Sequence, residues 1–143
     1  MEVREMEHRP ATTCTPTASI AEVARLMRKD NVGSVVVTDE HGRLAGIVTD
    51  RDIVVHAIAD ELDNSSAIEK VMTRNVDYLY ENAEVSTAAE EMSANGFRRL
   101  PVLDLQGHLT GVVSFDDLVV NLADQVGRLG RAVRTEMRAS QIP

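Results

Sequence analysis

The chain has no tryptophan, two phenylalanines, two tyrosines and one cysteine in 143 residues. So few aromatics leave no stacking platform for single-stranded nucleic acid, and Val, Leu, Ile, Ala and Met must fill the interior. A single thiol, Cys14, excludes a disulfide framework and a multi-cysteine metal centre. With no base marked out beside it, Cys14 reads as a small buried hydrophobe rather than a nucleophile. Positive charge is also short: 15 Lys and Arg against 23 Asp and Glu give a net charge of −8, which argues against a non-specific phosphate-backbone binder. There is no run of about 18 apolar residues, and Met1–Pro10 is charged rather than signal-like. A cytoplasmic protein with neither a membrane nor a nucleic acid as partner is expected. His8, His41, His56 and His108 are dispersed without metal-ligand spacing. No nucleophile is paired with a base and no Gly-rich phosphate loop occurs, so the sequence does not predict an enzyme.

What is present begins with an ordinary balance of 43% apolar and 27% charged residues, enough to bury a core in one domain or in two half-domains that share one. The charge is unevenly spread. Residues 121–143 hold four arginines against Asp124 and Glu136, so the tail is weakly basic and the remainder strongly acidic.

The chain is a repeat. Shifted by 65 residues, 3–55 aligns with 68–120 without a gap, and 13 of the 53 positions are identical, among them Met27/Met92, Asp39/Asp104, Gly42/Gly107, Gly46/Gly111 and Asp52/Asp117. Internal repetition of this kind decides the architecture before any local reading. The boundaries are 1–59 for the first repeat, 60–67 for a polar, flexible linker, 68–120 for the second repeat and 121–143 for a C-terminal helical tail.

Each repeat reads β-α-β-β-α. A short extended piece (Ala11–Cys14; Val76–Leu79) precedes a helix whose apolar stripe is Ile20, Val23, Ala24 and Met27 in one copy and Val85, Ala88, Ala89 and Met92 in the other. Ser19 with Glu22 forms a capping-box pattern, and Asn31–Gly33 and Asn95–Gly96 supply the stops. A β-hairpin follows, Ser34–Thr38 with Leu44–Thr49 and Arg99–Leu103 with Leu109–Ser114, each turning on an Asp and a positive-φ Gly. A second helix begins near Asp50 and Phe115, with Ile53/Leu118 and Val54/Val119 on its apolar side. One such unit cannot cover both faces of its small sheet. Two packed sheet to sheet can, which predicts an α+β fold with a pseudo-two-fold axis and two equivalent clefts.

The stretches with most chemistry are Gly46-Ile47-Val48-Thr49-Asp50-Arg51-Asp52 and Gly111-Val112-Val113-Ser114-Phe115-Asp116-Asp117. Both place a hydroxyl and an Asp three residues apart at a strand-to-helix junction. Helix N-termini suit a phosphate, and a carboxylate accepts hydrogen bonds from a ribose diol. The same spacing is also a plain helix cap, which is the commoner meaning of a hydroxyl-x-x-acid match.

Over 3–120 the chain resembles a tandem pair of CBS domains, the cystathionine-β-synthase repeat module. Val3-Arg4-Glu5-Met6 and Val71-Met72-Thr73-Arg74 match the lead-ins, Phe97-Arg98-Arg99-Leu100-Pro101-Val102-Leu103-Asp104 the approach to the second hairpin, and 46–53 the motif itself. The resemblance implies a stand-alone regulatory sensor that requires no cofactor, binds an adenosine compound (AMP, ADP or ATP, with NAD and S-adenosylmethionine as further candidates) and signals to a partner protein. The alternative is a dimerising scaffold without a functional ligand site. Carried over by position, Asp52 and Asp117 hold ribose with Thr49 and Ser114 beside them. Further contacts come from Val32, Gly33 and Ser34 in one repeat and Phe97, Arg98 and Arg99 in the other. Arg51, Arg98 and Arg99 are the candidate phosphate partners, Arg51 foremost. The repeats depart from each other: Ser34 stands where the second has Arg99, and Asp116 where the first has Arg51. Unequal clefts are expected, with phosphate favoured at the first motif and disfavoured at the second.

The family resemblance also implies a homodimer. The tail adds Leu122, Val126, Leu129, Val133 and Met137, one apolar stripe at helical spacing, with Ala123, Gly127 and Gly130 on an adjacent face. A helix packing across a dimer or against a partner protein is expected.

Overall fold

A computed structural model describes residues 1–6 and 9–140; His8 and the end of the polar tail, 141–143, lie outside the described residues. Two three-stranded sheets are built alike. In the first repeat β1 (Thr13–Cys14) lies parallel to β2 (Ser34–Thr38), which pairs antiparallel with β3 (Leu44–Thr49). In the second, β4 (Leu79–Tyr80), β5 (Arg99–Leu103) and β6 (Leu109–Ser114) repeat that order and register. The hairpin turns are set as the sequence requires. Asp39 and Asp104 accept backbone N–H bonds inside the turn, and Gly42 and Gly107 take φ of 74° and 90°.

Helix α1 (Ile20–Asp30) opens on a complete Ser19/Glu22 capping box and closes at Asn31 in the left-handed region. Its counterpart α3 (Val85–Asn95) closes at Gly96, φ 70°. Ile20, Val23 and Met27, and Ala88 and Met92, face the core. Ala24 and Ala89, assigned to the stripe from the sequence, are exposed. A helix advances 100° per residue, and in α1 the half-buried Leu26 occupies the flank instead. The last helices differ between repeats. α2 (Asp50–Asp52) runs on as a π-helix over Ile53–Ile58, whereas α4 (Phe115–Ala139) is a regular 25-residue helix. Leu118 is buried and Ile53 packs on the core, but Val54 and Val119 are 56% and 49% exposed, so the expected inward face of these helices is narrower than the sequence suggested.

Both faces of each sheet are covered. Val35, Val37 and Val48 belong to the first core, and Leu100, Val102 and Val113 to the second. Val36 and Pro101, pointing to the opposite faces as strand alternation demands, are also buried. Sheet-to-sheet packing of the two repeats accounts for this.

The repeats exchange their lead-ins. Val3 and Met6 sit in the core of the second repeat, while Ile68 and Val71 sit in that of the first. Val3 N–H donates to Ala83 O (2.8 Å) and Arg4 N–H to Glu81 O (2.9 Å); at the corresponding positions Ile68 N–H donates to Ala18 O (2.7 Å) and Glu69 N–H to Pro16 O (3.2 Å). The segment 60–67 is tied down as well: Ser66 O and Asn64 O accept from Ile20 N–H and Ala21 N–H at the open start of α1.

Candidate functional site

At the strand-to-helix junctions the capping reading holds at both motifs. Thr49 Oγ1 accepts from Asp52 N–H (3.1 Å) while Asp52 Oδ2 accepts from Thr49 N–H (2.9 Å). Ser114 Oγ and Asp117 Oδ2 do the same at 3.1 and 2.8 Å. Each cap engages one carboxylate oxygen, Oδ2, and keeps the side chain fixed at the helix start with Oδ1 outside the cap. A cap and a ligand contact are therefore compatible in one residue.

A cleft of about 210 Å³ gathers residues from both repeats. Val32, Gly33 and Ser34 of the first repeat form one wall, and Ser114, Asp116 and Asp117 of the second form the other. The chain crossing between the sheets, Arg9–Thr12, closes a third side: Arg9 bridges to Val112 on β6, and Thr12 O accepts from Val36 N–H on β2. A larger cavity of about 860 Å³ adjoins it, sharing Arg9, Pro10 and Asp117 and bounded beyond by Asn121, Asp124 and Arg128 of α4.

Of the residues expected from the sequence, Val32, Gly33, Ser34, Arg99, Ser114 and Asp117 line this cleft. Thr49, Arg51, Asp52, Phe97 and Arg98 do not. The three-residue approach of the first repeat, which already meets its own motif through Asp50 N–H to Gly33 O (3.0 Å) and the Ser34–Thr49 strand pair, thus also faces the hydroxyl-x-x-Asp motif of the other repeat.

Of the three candidate arginines, only Arg99 lines this cleft. Arg99 reaches toward the first repeat: a Cβ on Gly33 would lie 2.9 Å from its Nη2, so the bare glycine makes room for this guanidinium. Arg98 turns to Asp116 (Nη2–Oδ1 3.6 Å) and lies over the Phe115 ring, 5.3 Å from its centroid. Asp116 forms an exposed pair with Arg98 and also stands in the wall of the cleft. Arg51 is exposed and lies outside the cleft. On geometry, Arg9 and Arg99 are the cations that face this site.

Arg9 and Asn31 also line the cleft and were left out of the sequence reading. Arg9 was visible in principle, since Arg9/Arg74 is one of the identical pairs of the repeat. Its neighbour across the cleft, however, is 103 positions away (Val112), and no local pattern announces that.

Comparison with known proteins agrees with this architecture. The CBS domain family model matches residues 3–58 and 68–124. An uncharacterized 17.7 kDa protein of Acidianus ambivalens is 44% identical over 109 residues, covering 76% of this chain and 65% of that protein, so the chain spans just under two thirds of this relative. The CBS domain pair of protein MJ0100, solved with 5′-methylthioadenosine and S-adenosyl-L-methionine, superposes with a TM-score of 0.77 at 32% identity, over 87% of this chain and 98% of that one. The CBS domain protein PAE2072 of Pyrobaculum aerophilum, solved with AMP, gives 0.75 at 29% identity, over 87% and 99%. With the repeat, the exchanged lead-ins and the paired sheets all in place, the chain belongs to the CBS domain family as a tandem pair.

Proposed function

We propose that the protein is a regulatory module that binds an adenosine compound in the cleft between Val32–Ser34 and Ser114–Asp117, and passes the change in packing to a partner protein. The observation that carries this reading is the convergence of both repeats on one cleft, with Asp117 Oδ1 outside its cap and Arg9 and Arg99 in the wall. Ribose hydroxyls donate to Asp117, the aliphatic wall at Val32 and Val112 takes the base, and the guanidiniums take phosphate or another anionic tail. The adjoining cavity gives such a tail room. Two proteins of similar structure were solved with adenosine compounds, which supports the class. AMP, ADP, ATP and S-adenosylmethionine are the ligands to test, together with NAD.

Thr49, Arg51 and Asp52, with Phe97 and Arg98, correspond by the repeat to a second cleft. Because Arg9 and Arg99 both line the Ser114/Asp117 side, that side is the stronger phosphate site, the reverse of the order the sequence suggested. No catalytic role is assigned to any residue.

The test is a thermal-shift screen. At about 100 times its dissociation constant a ligand stabilises the fold by about 2.7 kcal/mol. Asp117→Ala should abolish that increment while costing the free protein about 1 kcal/mol, as a lost cap does. Absence of a shift with every adenosine compound leaves the second reading, a dimerising scaffold. One observation favours that reading independently: Leu122, Val126, Leu129, Val133 and Met137 form a stripe along α4, each more than half exposed. We propose that a second copy of the chain covers it.

A further inference from the structure

A separate cavity of about 540 Å³ lies at the hairpin end of the molecule, away from the cleft just described. Its lining includes Leu103, at the end of β5, whereas Arg99, at the start of that strand, lines the cleft. At about 3.3 Å per residue the two positions are ~13 Å apart. The volume falls within the range usual for small-molecule sites, about 300–1,000 Å³.

The lining is chemically unusual for this chain. It holds Arg43 and Arg74 and no acidic residue, in a protein whose net charge is −8. Two nearby acids have partners of their own: Asp39 accepts from the backbone N–H groups of His41 and Arg43, and Glu69 lies 3.9 Å from Arg74 Nη2. Both tyrosines of the protein, Tyr78 and Tyr80, line the same cavity, their rings edge to face with centroids 5.5 Å apart. Gly107 closes the floor, where a Cβ would come within 3.1 Å of Arg43 Nη1. Asn75, beside Arg74, takes φ of 53°, a turn that keeps the crossing chain against the cavity.

Two guanidiniums without a lining carboxylate suit a doubly charged phosphate, which they bind in fork geometry. Aromatic edges beside them suit a compact apolar substituent. We propose that this cavity is a second ligand site, taking a small organic phosphate whose anionic group rests between Arg43 and Arg74 and whose apolar part lies against Tyr78 and Tyr80. It stands independently of the adenosine cleft.

The protein carries its own reporter. With no tryptophan and both tyrosines in this cavity, tyrosine emission reads this site alone. Inorganic pyrophosphate and cyclohexyl phosphate, which do not absorb in the tyrosine band, are titrated into the full chain. A saturable change in emission is expected. Arg43→Gln/Arg74→Gln should weaken it at least about tenfold, as loss of charged hydrogen bonds does, while melting temperature and the response to adenosine compounds are retained. If the double variant fails to fold, Arg43→Gln alone is read the same way. Asp117→Ala should leave the signal intact. The proposal is overturned by any of three results: no saturable change at millimolar probe, a linear loss of emission that persists in the arginine variant (collisional quenching), or a signal that vanishes with Asp117→Ala.

Discussion

Asp117 and Asp116 are adjacent yet have opposite consequences for a ligand. Asp117 is fixed by its cap and faces the cleft, while Asp116 is drawn to Arg98 at 3.6 Å. Asp116→Ala should remove a negative charge from the cleft wall. AMP should then gain affinity relative to unphosphorylated adenosine, measured by calorimetry on wild type and variant. A gain equal for both compounds would show that the pair acts on shape rather than charge. Cys14 gives a second residue-level expectation. Burial, assisted by the Glu22 charge, pushes its thiol up to about 11. A raised value means that the folded state holds the proton longer than the unfolded chain does. Any stability linked to this group is complete below the unfolded value of about 8.5 and is lost as pH rises toward 11. Disulfide-exchange labelling at pH 8 should therefore be slow in the folded protein and fast in denaturant. Equal rates would refute the buried-thiol assignment.

Among the elements, the exchanged lead-ins show where sequence reading reaches its limit. The Ser19/Glu22 capping box, the Asn31 and Gly96 stops and the Asp-to-Gly hairpin turns were all legible, because each depends on residues a few positions apart. The partner of Val3 was not, since nothing near it encodes a hydrogen bond to Ala83. The same holds for the cleft, where Val32–Ser34 meets the motif of the other repeat. The narrow inward face of α2 and α4 was hidden for another reason: an apolar residue such as Val119 reads alike whether it faces this chain's core or another surface. Ile68 tests the exchange. It is fully buried in the core of the repeat that precedes it. Ile68→Ala should cost about 2–5 kcal/mol, and hydrogen exchange should show the loss in α1 and β2 of the first repeat. Loss confined to the second repeat would contradict the arrangement.

For the whole molecule, α4 poses the question of assembly. Its apolar stripe continues past residue 124, where the match to the family ends, and no helix among the described residues is long and apolar enough to cross a membrane. Apolar spacing of four, three, four and four from Leu122 to Met137 fits a seam against another helix. Gly127 and Gly130 would cost a lone helix about 1 kcal/mol each, and both permit close backbone approach. Chains ending at Leu122 should dissociate at micromolar concentration in analytical ultracentrifugation, while the full chain stays dimeric. A truncated form as dimeric as the full chain would assign the stripe to a different partner.

The exchanged lead-ins also set a clock on biosynthesis. Met1 makes contact with Glu84, 83 residues along the chain, and Val3 and Met6 complete a core whose other members begin at Leu79. At the usual ribosomal speed of about 5–20 residues per second, Met1 waits on the order of 4–17 s for the residue it will contact. During that interval Val3 and Met6 travel as an uncovered apolar hook. Contacts so distant in sequence make the closing step slow by the contact-order relation, and they tie completion of each core to the lead-in of the other repeat.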